Sequence, residues 1–279
     1  MPELPELQAH AERLTGRFAA AVLEEFRPLA FTALKTASPD PAAARGEALV
    51  EVGRRGKYLL ATFGALTFVV HLMQGGRLKE DPKPSARPRT GVARWRFTDG
   101  RAWLLTEAGT ERRAGVWCVP TADRSQLLPL ADLGPEADRT SVAELADRFA
   151  GHNQRLHGFL RDQTCVAGLG RRLANEVCHR ARLSPFAMTG RLGRAGAEAV
   201  VDAIAAACAE GLAVERTRNE MSASADRPGG VHGRTGLACP VCGDTIREVA
   251  YSSYTVHYCP TCQTGGKVLA DNTTSRFLR

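Results

Sequence analysis

The chain has 279 residues, with Lys+Arg 37 against Asp+Glu 30 and a formal net charge of +7. Hydrophobic residues make up 44% and charged residues 24%, which excludes collagen, coiled coil and wholesale disorder, while the length is enough to bury a core without disulfide staples. The longest apolar runs, such as 66–70, fall well short of a bilayer span, and the start Met1-Pro2-Glu3 carries no basic, apolar leader. We therefore expect a soluble, cytoplasmic protein with no membrane association. The positive balance fits an anionic partner. It is made of 32 Arg and only 5 Lys, so each individual lysine stands out.

In chain order, residues 3–17 read as a helix, because Pro5 suits a first turn and Leu4, Leu7, Ala11 and Leu14 recur at helical spacing. From 18 to 119 the pattern is strand-like, with short apolar or alternating runs at 20–26, 49–52, 58–63, 66–72, 92–97, 102–106 and 116–119. Turn residues such as Phe63-Gly64 and Thr98-Asp99-Gly100 separate many of them, and the proline-rich stretch 81–88 reads as a loop. These features predict a β-rich domain, sandwich or barrel, over 1–124. Pro129 and Gly134-Pro135 mark a linker over 125–141. Helices expected at 142–150, 154–163, 171–181 and 193–214 make a second domain over 142–225, followed by a cysteine module and tail over 226–279.

The eight cysteines fall into two groups. Cys118, Cys165, Cys178 and Cys208 sit among apolar neighbours and read as buried small hydrophobes. Cys239, Cys242, Cys259 and Cys262 form a CPVC and a CPTC with sixteen residues between them. Each such knuckle supplies two thiolates from a tight turn, and two knuckles close a tetrahedron around zinc. Two disulfides are the competing reading, which a reducing compartment disfavours. Four cysteine ligands leave no open position for water, so one structural Zn2+ is expected.

Charge is also uneven. Six basic residues and only Asp99 on the acidic side lie between Lys83 and Arg101, and six arginines against Glu176 alone lie between Cys165 and Arg194. The second stretch contains Ala167-Gly168-Leu169-Gly170-Arg171-Arg172, a glycine-rich hinge between two expected helices. Glycines there let the backbone approach a ligand, and the second helix presents its N-terminal N–H groups, a combination suited to phosphate. Beside a zinc module it points to a nucleic-acid backbone.

Met1-Pro2-Glu3-Leu4-Pro5-Glu6, Arg54-Arg55-Gly56-Lys57-Tyr58, His71-Leu72, Arg112-Arg113, Leu133-Gly134-Pro135-Glu136, Asp162-Gln163 through Gly170, and the four cysteines followed by Gln263 occur in one order. This resembles the formamidopyrimidine-DNA glycosylase and endonuclease VIII family of base-excision repair enzymes over nearly the whole chain. Singly, each segment has an ordinary reading: Glu3 and Glu6 suit any helix start, Lys57 any loop, His71 any strand. Their collinearity carries the resemblance. It implies an α+β multidomain fold: an N-terminal β-sandwich with a flanking helix, a helix–two-turn–helix domain and a C-terminal zinc-finger β-hairpin, with DNA in the cleft between the halves. It implies a monomer that binds damaged duplex DNA and is nucleoid-associated for that reason.

The resemblance further implies a DNA glycosylase with AP lyase activity on oxidised bases. After removal of Met1, Pro2 would be the nucleophile, with Glu3 as acid/base, Lys57 on a phosphate beside the lesion and Glu6 in support. An α-amine with pKa about 7.7–8.0 is far more often neutral near pH 7 than a lysine at about 10.4. His71, Met73, Gln74, Arg113, Gly170, Arg171 and Tyr254 fall at DNA-contacting positions. Several positions, the neighbouring Ala114 among them, depart from the pattern. Met73-Gln74 replaces a Gly-Met order, Ala114 stands where an aromatic wedge is usual, Arg171 replaces a phosphate-binding asparagine, and Tyr254 replaces a zinc-finger arginine that grips phosphates. Arg247, Lys267 and Arg276 are the nearby cations that offer to replace it. A damage-binding protein of the same fold with weak or no catalysis is the alternative that Tyr254 and Ala114 suggest. An RNA-binding zinc-ribbon protein would leave the start motif without a role.

Overall fold

In the computed structural model, which describes residues 1–269 other than 87, 110–112, 223–225 and 228, helix α1 (Leu4–Phe18) opens the chain. Its start is fixed by a capping box: the Glu3 side chain accepts from the first turn, and the Glu3 N–H donates to Glu6 Oε2 at 2.9 Å. Leu7, Ala11, Leu14 and Phe18 form the buried stripe that docks the helix on the sandwich core.

Two four-stranded antiparallel sheets follow. One has the order β1-β6-β7-β5, from β1 (Leu23–Pro28), β5 (Gly76–Glu80), β6 (Gly91–Phe97) and β7 (Ala102–Glu107). The other has the order β2-β3-β4-β8, from β2 (Leu49–Arg55), β3 (Tyr58–Phe63), β4 (Leu66–His71) and β8 (Gly115–Pro120). Phe18, Phe63, Phe68, Trp95, Phe97 and Trp103 interlock between the sheets, with T-shaped or tilted rings such as Phe97–Trp103 at 5.0 Å. This is the expected β-sandwich with its flanking helix. Sequence patterning misses β5, whose Gly-Arg-Leu-Lys-Glu reads as polar loop. It is an edge strand paired with β7 that buries Leu78 as its one core side chain. The strand expected at 20–26 instead begins at Leu23, because Ala20 turns the chain with φ +61.

By its internal contacts the chain divides into two units, Met1–Asp132 with Arg218–Met221, and Leu133–Thr217 with Ser222–Arg279. In the second unit the segment read as a linker is partly anchored, with the Gly134 and Ala137 N–H groups donating to the carbonyls of Gln163 and Ala167. The helices are α2 (Val142–Gly151), α3 (Leu156–Arg161), α4 (Arg171–Arg180) and α5 (Gly193–Arg216). The helix expected at 154–163 is shorter, because Asp162 folds back to accept from the Thr164 N–H at 2.9 Å and ends α3. A hairpin of β9 (Arg247–Ala250) and β10 (Thr255–Tyr258) leads to α6 (Pro260–Thr264). Cys118, Cys165, Cys178 and Cys208 are all buried, as their neighbours predict. No helix among the described residues is long and apolar enough to cross a membrane.

Candidate functional site

In the first unit, the N-terminal corner is built by α1. Pro2 is buried, Glu3 is 3% exposed and Glu6 fully buried, so a carboxylate pair sits at the positive end of the helix beside the second residue. The Glu6 carboxylate accepts from the Glu3 backbone N–H, which fixes where Glu3 sits. Gln8 on the same helix accepts from Arg54 Nε at 3.3 Å, and Arg54 donates to the Gly56 carbonyl at 3.0 Å. These bonds tie α1 to the β2–β3 turn that presents Lys57. Gly56 takes the left-handed φ of +54 that this two-residue turn needs. Lys57 is 8% exposed, unusual for a lysine and unlike a solvated loop residue.

His71 faces Tyr58 across the β3–β4 pair, with ring centroids 4.7 Å apart. Burial, reinforced by the neighbouring Lys57 charge, pushes its imidazole down to about 4, so it is neutral at physiological pH and acts as a hydrogen-bonding group. Its Nδ1 accepts from the Met73 N–H at 3.3 Å. Met73 is half-buried with φ +52, and Gln74 is exposed, so the loop after β4 offers both side chains at once. Gly75 and Gly76 close that loop. A Cβ at Gly75 would lie 2.5 Å from the Ala108 carbonyl oxygen, and one at Gly76 2.0 Å from that of Leu72. Arg113 is exposed, whereas Ala114 is buried with its N–H donated to Glu107 Oε2 at 2.6 Å. Arg112 lies outside the described residues.

In the second unit, the glycine hinge is held by Gln163. Its amide nitrogen donates to the Arg161 and Leu169 carbonyls at 2.8 and 2.9 Å, and its oxygen accepts from the Gly168 N–H at 3.0 Å. Gly168 has φ +105, a value that an L side chain strains to reach. Gly170 caps α4, so Arg171 is the first helical residue, and its side chain donates to the Ser253 carbonyl at 3.2 Å.

The buried face of α4 is polar and meets the zinc module. Glu176 accepts from the Gly230, Val231 and His232 N–H groups at 2.7, 3.1 and 2.8 Å, and Asn175 Oδ1 accepts from the His257 N–H at 3.3 Å. The four sulfurs of Cys239, Cys242, Cys259 and Cys262 all lie within 4.8 Å of one another, with Cys239–Cys262 at 3.9 Å and Cys242–Cys259 at 3.4 Å. Thiolates around a tetrahedral zinc stand about 3.8 Å apart for Zn–S bonds of about 2.3 Å. The set therefore fits one structural Zn2+. Around the set, Gln263 accepts from the Cys259 N–H at 2.8 Å and donates to the Leu183 carbonyl at 3.0 Å, which gives the residue after the last cysteine its role.

Tyr254 is at the tip of the β9–β10 hairpin. Among the described residues, neither Arg247 nor Lys267 meets it there. Arg247 pairs with Tyr258 at the hairpin's other end, Lys267 follows α6, and Arg276 lies outside the described residues. Instead Arg161, at the end of α3, stacks its guanidinium 4.1 Å from the Tyr254 ring centroid, and Arg155 donates to the Tyr251 hydroxyl at 3.0 Å. Sequence reading missed both arginines, since nothing local in 155–161 distinguishes them from solvated charges.

Among known proteins, the formamidopyrimidine-DNA glycosylase N-terminal domain matches residues 1–117, the formamidopyrimidine-DNA glycosylase H2TH domain residues 133–223, and the zinc finger found in FPG and IleRS residues 236–265. An uncharacterized formamidopyrimidine-DNA glycosylase-like protein of Mycobacterium tuberculosis is 42% identical over 151 residues, spanning 53% of this chain and 94% of its own. The formamidopyrimidine-DNA glycosylase of Symbiobacterium thermophilum is 32% identical over 278 residues, 94% of this chain and 89% of that protein. Of solved structures, a Lactococcus lactis FPG mutant in complex with a Fapy-dG containing DNA matches with a TM-score of 0.82 at 20% identity, over 94% of this chain and 100% of that one. At that identity the likeness speaks for the fold.

Proposed function

The chain belongs to the formamidopyrimidine-DNA glycosylase family of DNA repair glycosylases, and from that premise we propose that it excises oxidised bases from duplex DNA and nicks the strand through Pro2. The observation that carries the reading is the N-terminal corner: Pro2, Glu3 and Glu6 are buried together at the start of α1, and hydrogen bonds lead from that helix to the turn bearing a buried Lys57.

Once Met1 is removed, Pro2 carries a secondary amine in place of an amide. Its lone pair forms a bond to the deoxyribose C1′ as the bond from C1′ to the damaged base breaks, and the base leaves with the electron pair and takes up a proton. Glu3 delivers a proton to the sugar ring oxygen as the ring opens to an iminium. Loss of a C2′ proton then expels the 3′ phosphate by β-elimination. While the conjugated iminium persists, loss of the C4′ proton expels the 5′ phosphate by δ-elimination, and water then releases the enzyme amine from the sugar remnant. Lys57 fixes the phosphate beside the reacting sugar. The flipped nucleotide leaves a gap in the stack for Met73 or Gln74 to fill. The zinc holds the hairpin in shape and takes no part in the chemistry.

Borohydride reduction of the enzyme with abasic-site DNA tests this reading. Processed protein yields a covalent adduct that a blocked N-terminus abolishes. Absence of an adduct from processed protein overturns the lyase assignment. A second reading is favoured by Ala114, which is buried and hydrogen-bonded to Glu107 and so supplies no wedge. In that reading the protein binds damaged DNA with little turnover. Retained Met1 in the intact mass of the natural protein supports it, and a processed, trappable N-terminus rules it out.

A further inference from the structure

Three arginines from outside the zinc module converge on the four-residue turn 251–254. Arg155 donates to the Tyr251 hydroxyl at 3.0 Å, Arg171 donates to the Ser253 carbonyl at 3.2 Å, and the Arg161 guanidinium carbon lies 4.1 Å from the Tyr254 centroid. The two tyrosine rings stack on each other at 4.7 Å and 13°, so the turn presents a rigid aromatic surface. Among the described residues, none of the three guanidiniums has a carboxylate within 4 Å.

Arg161 differs from the other two. Arg155 and Arg171 spend a donor on the turn itself, whereas the Arg161 guanidinium rests on the ring and its side chain makes no hydrogen bond among the described residues. Stacking on an aromatic face engages the guanidinium plane and leaves its in-plane N–H donors available. The side chain is half-buried, so its orientation is set before any ligand arrives. A fork of donors, positively charged, uncompensated and pre-oriented, matches the paired oxygens of a phosphodiester.

We propose that Arg161, oriented by Tyr254, is a phosphate-binding residue of the DNA interface, delivering from α3 the charge that the hairpin lacks at position 254. Tyr254 is then a positioning residue and not a lost contact. The proposal rests on the DNA-binding reading given above and adds to it a residue and a pairing.

Equilibrium binding to a duplex carrying a tetrahydrofuran abasic analogue, measured by fluorescence anisotropy across a NaCl series, tests it. Arg161→Ala is expected to weaken binding about tenfold, the loss of one charged hydrogen-bonding group, and to reduce the slope of log affinity against log salt by about 0.9, one phosphate contact. Tyr254→Phe keeps the ring face and serves as the conservative rescue of Tyr254→Ala. Tyr254→Ala weakens binding severalfold with a smaller change of slope, because the charge remains while its orientation is lost. The double variant Arg161→Ala/Tyr254→Arg moves the charge onto the hairpin and recovers most of the lost slope. An unchanged slope in Arg161→Ala with wild-type zinc content, or a double variant no better than Arg161→Ala, overturns the proposal. Borohydride trapping run on the same proteins separates the two readings: wild type that binds with the expected slope but gives no adduct fails the lyase assignment alone. Wild type that does not bind the duplex fails both.

Discussion

Glu3 does two things at one address: its side chain caps α1, and its carboxylate is the proposed proton donor. Glu3→Gln keeps an accepting oxygen for the cap and removes the proton. Base excision is expected to fall by about a hundredfold or more while the melting temperature stays near wild type. A matching loss of stability would assign Glu3 to the cap alone. Buried histidines set a second expectation. His10 bonds the Leu78 carbonyl at 2.9 Å, and burial, aided by Arg13, pushes it down to about 4 from an ordinary 6.5. Below pH 6.5 the unfolded chain takes up a proton that the folded chain refuses. Stability is therefore full above about pH 6.5 and is lost as the pH falls toward 4, by about 3 kcal/mol for this group. Melting curves between pH 7 and 4.5 should decline less steeply for His10→Gln than for wild type. At this scale the sequence was legible where structure is local, as in the helix start that Pro5 marks. It was silent where a partner arrives from far along the chain, as Arg161 reaches Tyr254 across 93 positions.

Among the elements, α4 shows how a helix can be read in place but not in purpose. Its span follows from the glycine hinge and the apolar Leu173, Ala174 and Val177, yet Asn175, Glu176 and His179 are buried as well. Such residues look like a solvent face in sequence. Here they meet backbone N–H groups that enter from Gly230–His232, and a helical periodicity holds no record of those donors. Glu176→Ala leaves three N–H groups, that of buried Val231 and those of half-buried Gly230 and His232, without their acceptor. It should destabilise the second unit by about 3 kcal/mol, read by thermal unfolding, with Glu176→Gln milder. An effect below about 0.5 kcal/mol would contradict the burial. Edge strand β5 illustrates the reverse failure. Only Leu78 faces the core, so alternation had a single apolar residue on which to register.

The molecule as a whole divides its reporters as it divides its structure. All three tryptophans, Trp95, Trp103 and Trp117, lie in the first unit, and all four zinc ligands lie in the second. Stripping the metal with a chelator should therefore abolish high-affinity DNA binding while leaving tryptophan emission native. Elemental analysis should return one zinc per chain before treatment and none after. Tryptophan emission that shifts with the metal would show that the units do not respond separately. The α+β architecture was legible in sequence because its markers are compositional: cysteine spacing, strand runs and helical periods. The division of contacts was less so, because the short segment Arg218–Met221 groups with the first unit from within the second. No local pattern announces such an excursion.

The loop after β4 has a consequence for how this protein can change. Gly75 and Gly76 are held by carbonyl oxygens that leave no room for a side chain, while beside them Gln74 is exposed and Met73 is restricted by its backbone φ of +52. Random mutagenesis should find position 74 permissive, position 73 narrowed to residues that accept a positive φ, and positions 75 and 76 closed to any side chain. Evolution can then change the side chain that this loop presents at position 74 with the scaffold around it left untouched.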